Sequence, residues 1–181
     1  MSISSPRLFA LATALFFVFA LGCSNEVPGH DVSFSHGRLN MKLAPEWVLV
    51  KDAGKKAYWR HGVSDDIKLS FEDQTQDYGT PMSVQAVRGA IGTELNMAHG
   101  GVDARLGLGG TAVLSYKKKV KEGSRKVYTQ NWVVAAPYGY GAVARIAITL
   151  KVPDGQQGTP QFQQIVDLLD KQVGDAKIPP A

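Results

Sequence analysis

The chain has 181 residues, 44% of them hydrophobic and 20% charged, and carries a net charge of +4. That length holds one domain with a real core, and so small a positive excess does not by itself argue for nucleic acid. A single cysteine excludes an intramolecular disulfide, so packing alone must hold the fold.

The first segment, MSISSPR, is short and polar, and Arg7 is its one charge. LFALATALFFVFAL (8–21) follows, broken only by Thr13. It has the length of a signal-peptide hydrophobic region and falls short of the roughly 20 residues a spanning helix needs. Ala20-Leu21-Gly22-Cys23 resembles a bacterial lipobox, with Ala20 and Leu21 in the reverse of the usual order. The resemblance implies a signal peptide over 1–22, cleavage before Cys23, and acylation of that residue, palmitate included. Ordinary signal peptidase cutting after Ala20 is the alternative. Removing Arg7 with the leader leaves 19 basic against 16 acidic side chains, a net +3. Ser24 is not an inner-membrane retention aspartate, so in a Gram-negative cell the expected location is the outer membrane, facing the periplasm.

Residues 23–31 read as a tether. SNEVPGHD (24–31) has no periodicity and contains the breaker pair Pro28-Gly29; eight residues reach at most about 25–30 Å. The domain is expected over 32–178. VSFSH and RLNMKLA are short strand candidates around Gly37, and Pro45 breaks the run before Trp47. AYWRHG (57–62) and IKLSFED (67–73) follow, the second alternating Ile67, Leu69 and Phe71 against Lys68, Ser70 and Glu72. Thr80-Pro81 signals a helix start; Val84, Val87, Ile91 and Leu95 share one helical face, and Gly100 ends it. Then come DARLGLG, TAVLSYKKKVK, RKVYTQNWVVAA and GAVARIAITLKV, the last three joined by turns at 122–124 and 137–141 into an antiparallel meander. In the last strand Ile146, Ile148, Leu150 and Val152 face the core and Arg145, Thr149 and Lys151 the other side. Thr159-Pro160 opens a second helix through Phe162, Ile165, Leu169 and Val173, and the tail AKIPPA is expected to be loose. The fold class is α+β: a single domain with a five- to seven-stranded antiparallel sheet and helices near 81–98 and 160–172.

With its leader, the strand "GRLNMKLAPEW", the meander "QNWVVAAPYGYGAVARIAITLKVP" and the final Thr-Pro helix, the chain resembles the PsbP family and its bacterial relatives, including DcrB-type envelope lipoproteins. The resemblance covers most of 32–178. It implies an α/β/α sandwich and a non-enzymatic accessory or binding role, and it transfers no metal ligand or partner residue.

The sequence holds no G-x-S-x-G, H-E-x-x-H, Cys-x-x-Cys or P-loop motif, and Gly107-Leu108-Gly109-Gly110 lacks dinucleotide-binding spacing and reads as a turn. No catalytic set, cofactor or metal site is expected. His30 and His36 have no spaced Cys, Asp or Glu to complete a ligand set. Asp73-x-Thr75-x-Asp77 has Val84 where a calcium loop would place its closing glutamate. His99 suits a helix C-terminus. KKAYWRHG (55–62) mixes bases with Tyr58 and Trp59 but reads as a strand with one buried ring, so no nucleic-acid partner is expected. Two partner-binding candidates remain. The first is the basic run KKKVKEGSRK (117–126): Lys117, Lys119 and Lys121 share one strand face and, with Arg125, could grip an anionic envelope component or a protein, or else simply guard a sheet edge. The second is Tyr138 and Tyr140 in PYGYG, aromatic area at a turn.

Three functions follow in order: a membrane-anchored, non-enzymatic envelope module; a carrier of lipid or another apolar ligand; and a hydrolase with an unrecognised carboxylate site. Cys23→Ser is expected to release the protein from the membrane fraction, or leave it unprocessed, and to abolish lipid labelling. An unmodified N-terminus at Leu21 in mass spectra would refute the anchor.

Overall fold

The computed structural model describes residues 29–62, 64–153 and 155–181; the leader and Cys23 lie outside them. Ten strands and two helices form one α+β domain, in the order β1 (His30–Phe34), β2 (Leu39–Leu43), β3 (Trp47–Asp52), β4 (Lys56–His61), β5 (Ser64–Asp73), β6 (Gln76–Asp77), α1 (Val84–His99), β7 (Asp103–Leu106), β8 (Ala112–Glu122), β9 (Arg125–Tyr138), β10 (Ala142–Pro153) and α2 (Pro160–Gly174). Eight strands make an antiparallel sheet ordered β3-β4-β5-β10-β9-β8-β7, with β6 continuing beside β10 where β5 ends. The expected meander is its spine. β9 pairs with β10 from Tyr138↔Ala142 to Val127↔Pro153, and with β8 from Ala135↔Ala112 to Arg125↔Glu122.

Period-two alternation decides the layers. Ile146, Ile148, Leu150 and Val152 are fully buried on the face shared with Trp132, Val134, Leu69 and Phe71. This larger core is closed by α2, through Leu169 and Val173, and by the β1–β2 ribbon, through Phe34, Leu39 and Leu43. The opposite face carries a second cluster in which Val87, Ile91 and Leu95 of α1 pack on Ala112, Leu114, Val133 and Val143.

Several expectations need correction. The first two strands form a separate ribbon, β1 paired only with β2, because Val32, Phe34, Leu39, Met41 and Leu43 all point onto the sheet as a lid. β1 already begins at His30, two residues inside the expected tether. Residues 47–52 form an unanticipated edge strand, β3, whose apolar run does not alternate and which is bulged near Val50. Ser83, not Thr80, caps α1: its side chain accepts from the Ala86 amide (3.2 Å), while the Tyr78 amide donates to Gly141 and ties the preceding segment to the β9–β10 turn. The tail is fixed rather than loose. Asn40 and Lys177 exchange two backbone hydrogen bonds of 2.9 Å, and Ala176 and Ile178 are buried. Arg145 lies on the face opposite Ile146 and Ile148, as alternation implies, and alternation did not specify its cover: α1 lies over it, and Glu94 holds its guanidinium through both carboxylate oxygens at 2.9–3.0 Å.

Other features match their sequence signals. Thr159 caps α2 by accepting from the Phe162 amide, with Pro160 in its first turn. Gly100 ends α1 at φ 67°. In the 107–110 turn, a Cβ on Gly109 would lie 2.2 Å from the Ala176 carbonyl oxygen, so only glycine lets this loop run under the end of α2.

Ile148→Asp places an unpaired charge in the larger core, and a loss of several kcal/mol is expected. Unchanged thermal stability in that variant would refute the assignment of faces.

Candidate functional site

Lys117, Lys119 and Lys121 are all exposed and share the α2-side face of β8, with the Lys119 ammonium 5.2 Å from the Tyr128 ring centre. β7 pairs only with Ala112–Ser115, so from Tyr116 onward β8 is a bare sheet edge. The lysines sit where charge blocks edge-to-edge pairing. Arg125 opens β9 opposite Glu122. Tyr140 is 84% exposed at the β9–β10 turn, whereas Tyr138 packs against the larger core beneath the Arg38 guanidinium, 5.5 Å from its ring centre. The lysines lie beside residues 126–130 of β9 and the tyrosines at and just beyond its other end, roughly 26–40 Å away along the strand at the usual rise per residue. They do not form one site. Cys23 lies outside the described residues.

The acidic stretch is committed to the fold. The Asp73 side chain, 2% exposed, accepts from the Ser35 hydroxyl, the Arg38 guanidinium (2.6 Å) and the Thr75 amide (2.9 Å). Asp77 accepts from the Gly79 amide at 2.8 Å. Burial alone would push the Asp73 carboxyl up; the donors from Ser35, Thr75 and Arg38 outweigh it and hold the group at about 2. Ser35, His36 and Gly37 occupy the left-handed region at φ 52°, 56° and 86°, and the Asp73 contacts clamp this turn onto the sheet. His99 stacks on Tyr116, ring centres 4.5 Å apart. Among the described residues, no three His, Cys, Asp or Glu side chains gather as metal ligands, and no helix is long and apolar enough to cross a membrane.

Two helix ends treated differently create a groove. The C-terminal half of α2 is drawn onto the sheet: Leu169 and Val173 are buried, and Asp170 accepts from the Trp132 indole (2.8 Å) and from Arg105 (2.7 Å). Its N-terminal half has only the half-buried Phe162, Ile165 and Leu168, above the corner where β3, β4 and β5 meet. Between them opens a groove of about 540 Å³, walled by Trp47, Ile67, Phe162, Ile165 and Leu168 and rimmed by Glu46, His61, Ser64, Gln161 and Gln164. The Trp47 and His61 rings meet edge to face at 5.0 Å. Burial pushes the His61 imidazole below its ordinary value, with Glu46 pulling the other way, which favours a neutral ring at physiological pH. Among the described residues no lysine or arginine lines the groove, so it suits an apolar body with a neutral or cationic polar end. The sequence reading proposed none of these residues as a site. The one available signal was Leu168, which widens the apolar arc of α2 beyond what burial requires.

No protein-family model matches the chain, and no curated protein does. The likenesses are structural. LpqN of Mycobacterium tuberculosis, a protein involved in cell envelope biogenesis, aligns with a TM-score of 0.52 at 12% identity, over 85% of this chain and 87% of its own. A Bacteroides thetaiotaomicron protein aligns with a TM-score of 0.53 at 9% identity, over 83% of this chain and 48% of its own. This chain thus spans about half the length of the Bacteroides protein. At such identities the likeness is one of fold. The antiparallel sheet with helices on both faces that the PsbP-type resemblance implied is present, while membership of that family has no matching model behind it.

The Asp73 clamp gives a pH dependence. Its folded value of about 2 lies below the ordinary 3.8, so the ionised carboxylate stabilises the domain above about pH 4 and that contribution fades as pH falls toward 2. Such a shift corresponds to about 2 kcal/mol. Asp73→Asn is expected to lose about that much in urea unfolding at pH 7, and the gap from wild type should close near pH 2. A gap independent of pH would contradict the clamp.

Proposed function

We propose that this protein is a non-enzymatic binding module of the bacterial cell envelope, tethered through Cys23, which holds an apolar or amphipathic component in the groove beneath the N-terminal half of α2. The groove carries the reading. It is large enough for a small amphiphile or a partner's side chains, apolar along its walls, and polar only at its rim. The lipobox-like leader supports an envelope setting, and LpqN, which has the same fold, is involved in cell envelope biogenesis. A carrier that shields a whole lipid is the second reading. The volume favours it, but the core between sheet and helices is filled and the groove opens to solvent, which suits an occupant that stays in contact with its surroundings.

A photo-crosslinking residue at Gln164, on the rim, is expected to capture an envelope lipid or protein in whole cells, while the same residue at Tyr140 does not. Ile165→Lys should abolish capture with folding retained, since Ile165 is only half-buried. Capture that survives Ile165→Lys, or none from Gln164, would overturn the assignment, and mass spectrometry of the adduct separates lipid cargo from partner protein.

A further inference from the structure

α1 packs on β7, β8 and β9 and leaves the same face of β3, β4 and β5 bare. On that bare face the register sets Arg60 directly opposite Lys68, and Lys68 directly opposite Lys151, so three cations stand side by side on adjacent strands. Like charges facing each other across an antiparallel pair are destabilising, and the sheet avoids the arrangement four residues further along β5, where Lys56 faces Glu72 in a 2.7 Å ion pair. Carboxylates form direct ion pairs only with the outer two cations of the row, while Glu122 attracts Lys68 from a greater distance. Arg60 pairs with Asp65 at 2.9 Å, and Lys151 with Glu122. Lys68, in the middle, makes no ion pair among the described residues.

The row lies in a groove of about 750 Å³ that is separate from the one beneath α2, on the other face of the same corner. Val50 and Tyr58 give it an apolar and aromatic wall, and Ser70, which faces Tyr58 across the β4–β5 pair, adds a hydroxyl. Adjacent strands lie about 4.8 Å apart, so the three cations span roughly 10 Å. A phosphate, with three terminal oxygens and more than one negative charge, can be reached from several sides at once; a carboxylate has two oxygens on one carbon.

We infer that this groove is a phosphate-binding site, with Lys68 as its central cation, Arg60 and Lys151 flanking it, and the organic part of the ligand laid on Tyr58 and Val50. The source is either a soluble phosphate monoester or the monoester head group of phosphatidic acid. The unfavourable like-charge row is then kept for the ligand and not for the fold, so replacing its central member should weaken binding without weakening the protein.

The test uses the full-length protein in nanodiscs of zwitterionic phosphatidylcholine, whose phosphodiester with two free oxygens is the baseline, and follows thermal unfolding by tryptophan fluorescence. Phenyl phosphate is the soluble probe, and discs containing phosphatidic acid present the monoester head group. A rise in Tm with either probe, absent in Lys68→Thr and kept in Lys68→Arg, supports the site and identifies the source. Without either probe, Lys68→Thr should melt at or above the wild-type temperature. A lower Tm for the unliganded variant assigns Lys68 to the fold and overturns the inference. So does a probe response that Lys68→Thr leaves intact, or that only Lys117, Lys119 and Lys121 substitutions remove, or no response to either probe.

Discussion

An eight-stranded sheet offers more surface than two short helices can cover, and most of this structure follows from that shortfall. α1 has 16 residues and α2 has 15, so each is about 23 Å long. The strands from β3 to β7 span close to 30 Å in width, and β9 alone runs for 14 residues. One face solves the problem with an extra element. The β1–β2 ribbon lies beside α2, and the Asp73 carboxylate and the Asn40–Lys177 bridge both fasten it near its turn. The other face has no such lid. α1 covers one end, where Arg145 and Glu94 pin it down, and the rest must be tolerable to water. The polar row Ser70, Thr149 and Asn131, in which the Thr149 hydroxyl donates to Asn131 at 3.0 Å, fits that requirement.

The corner formed by β3, β4 and β5 is where coverage runs out on both faces. Above it α2 lifts away; below it α1 does not reach. The two hollows differ in chemistry. One is apolar with neutral and acidic groups at its rim, and the other is cationic with an aromatic wall. Only three strands separate them from each other, and the side chains of those strands alternate by the ordinary pleat, Trp59 and Leu69 into the larger core and Tyr58, Arg60 and Lys68 away from it.

Strict alternation made β10 and the β5 core face legible in the sequence, and capping chemistry made α2 legible down to Thr159 and Pro160. Where alternation was missing, so was the assignment: Trp-Val-Leu-Val is an edge run with one buried residue, and no periodicity marks it. Polar residues left a different gap. Alternation gives the face of Arg145 but not the helix that lies over it, and Ser83 competes with Thr80 only once the β9–β10 turn has taken hold of the segment at Tyr78. The basic run at 117–121 was visible, and its position on a bare edge was not, since that depends on how far β7 extends along β8. Neither groove was legible. Each draws on residues from segments far apart in the chain, and a row of cations across three strands leaves no mark in the linear order, where Arg60, Lys68 and Lys151 look like ordinary solvated charges.

The described fold starts beside this corner: the imidazole of His30 lies against the indole of Trp59, ring centres 5.8 Å apart. Six residues lie between Cys23 and His30, a span of at most about 25 Å when fully drawn out. Given an acyl chain on Cys23, the domain has a short leash attached at its least covered region. With such an anchor its working radius would be smaller than the sheet is long, so the lipid surface and both hollows would share one neighbourhood, whereas the Tyr140 turn, at the far end of β9, would sweep the aqueous space beyond.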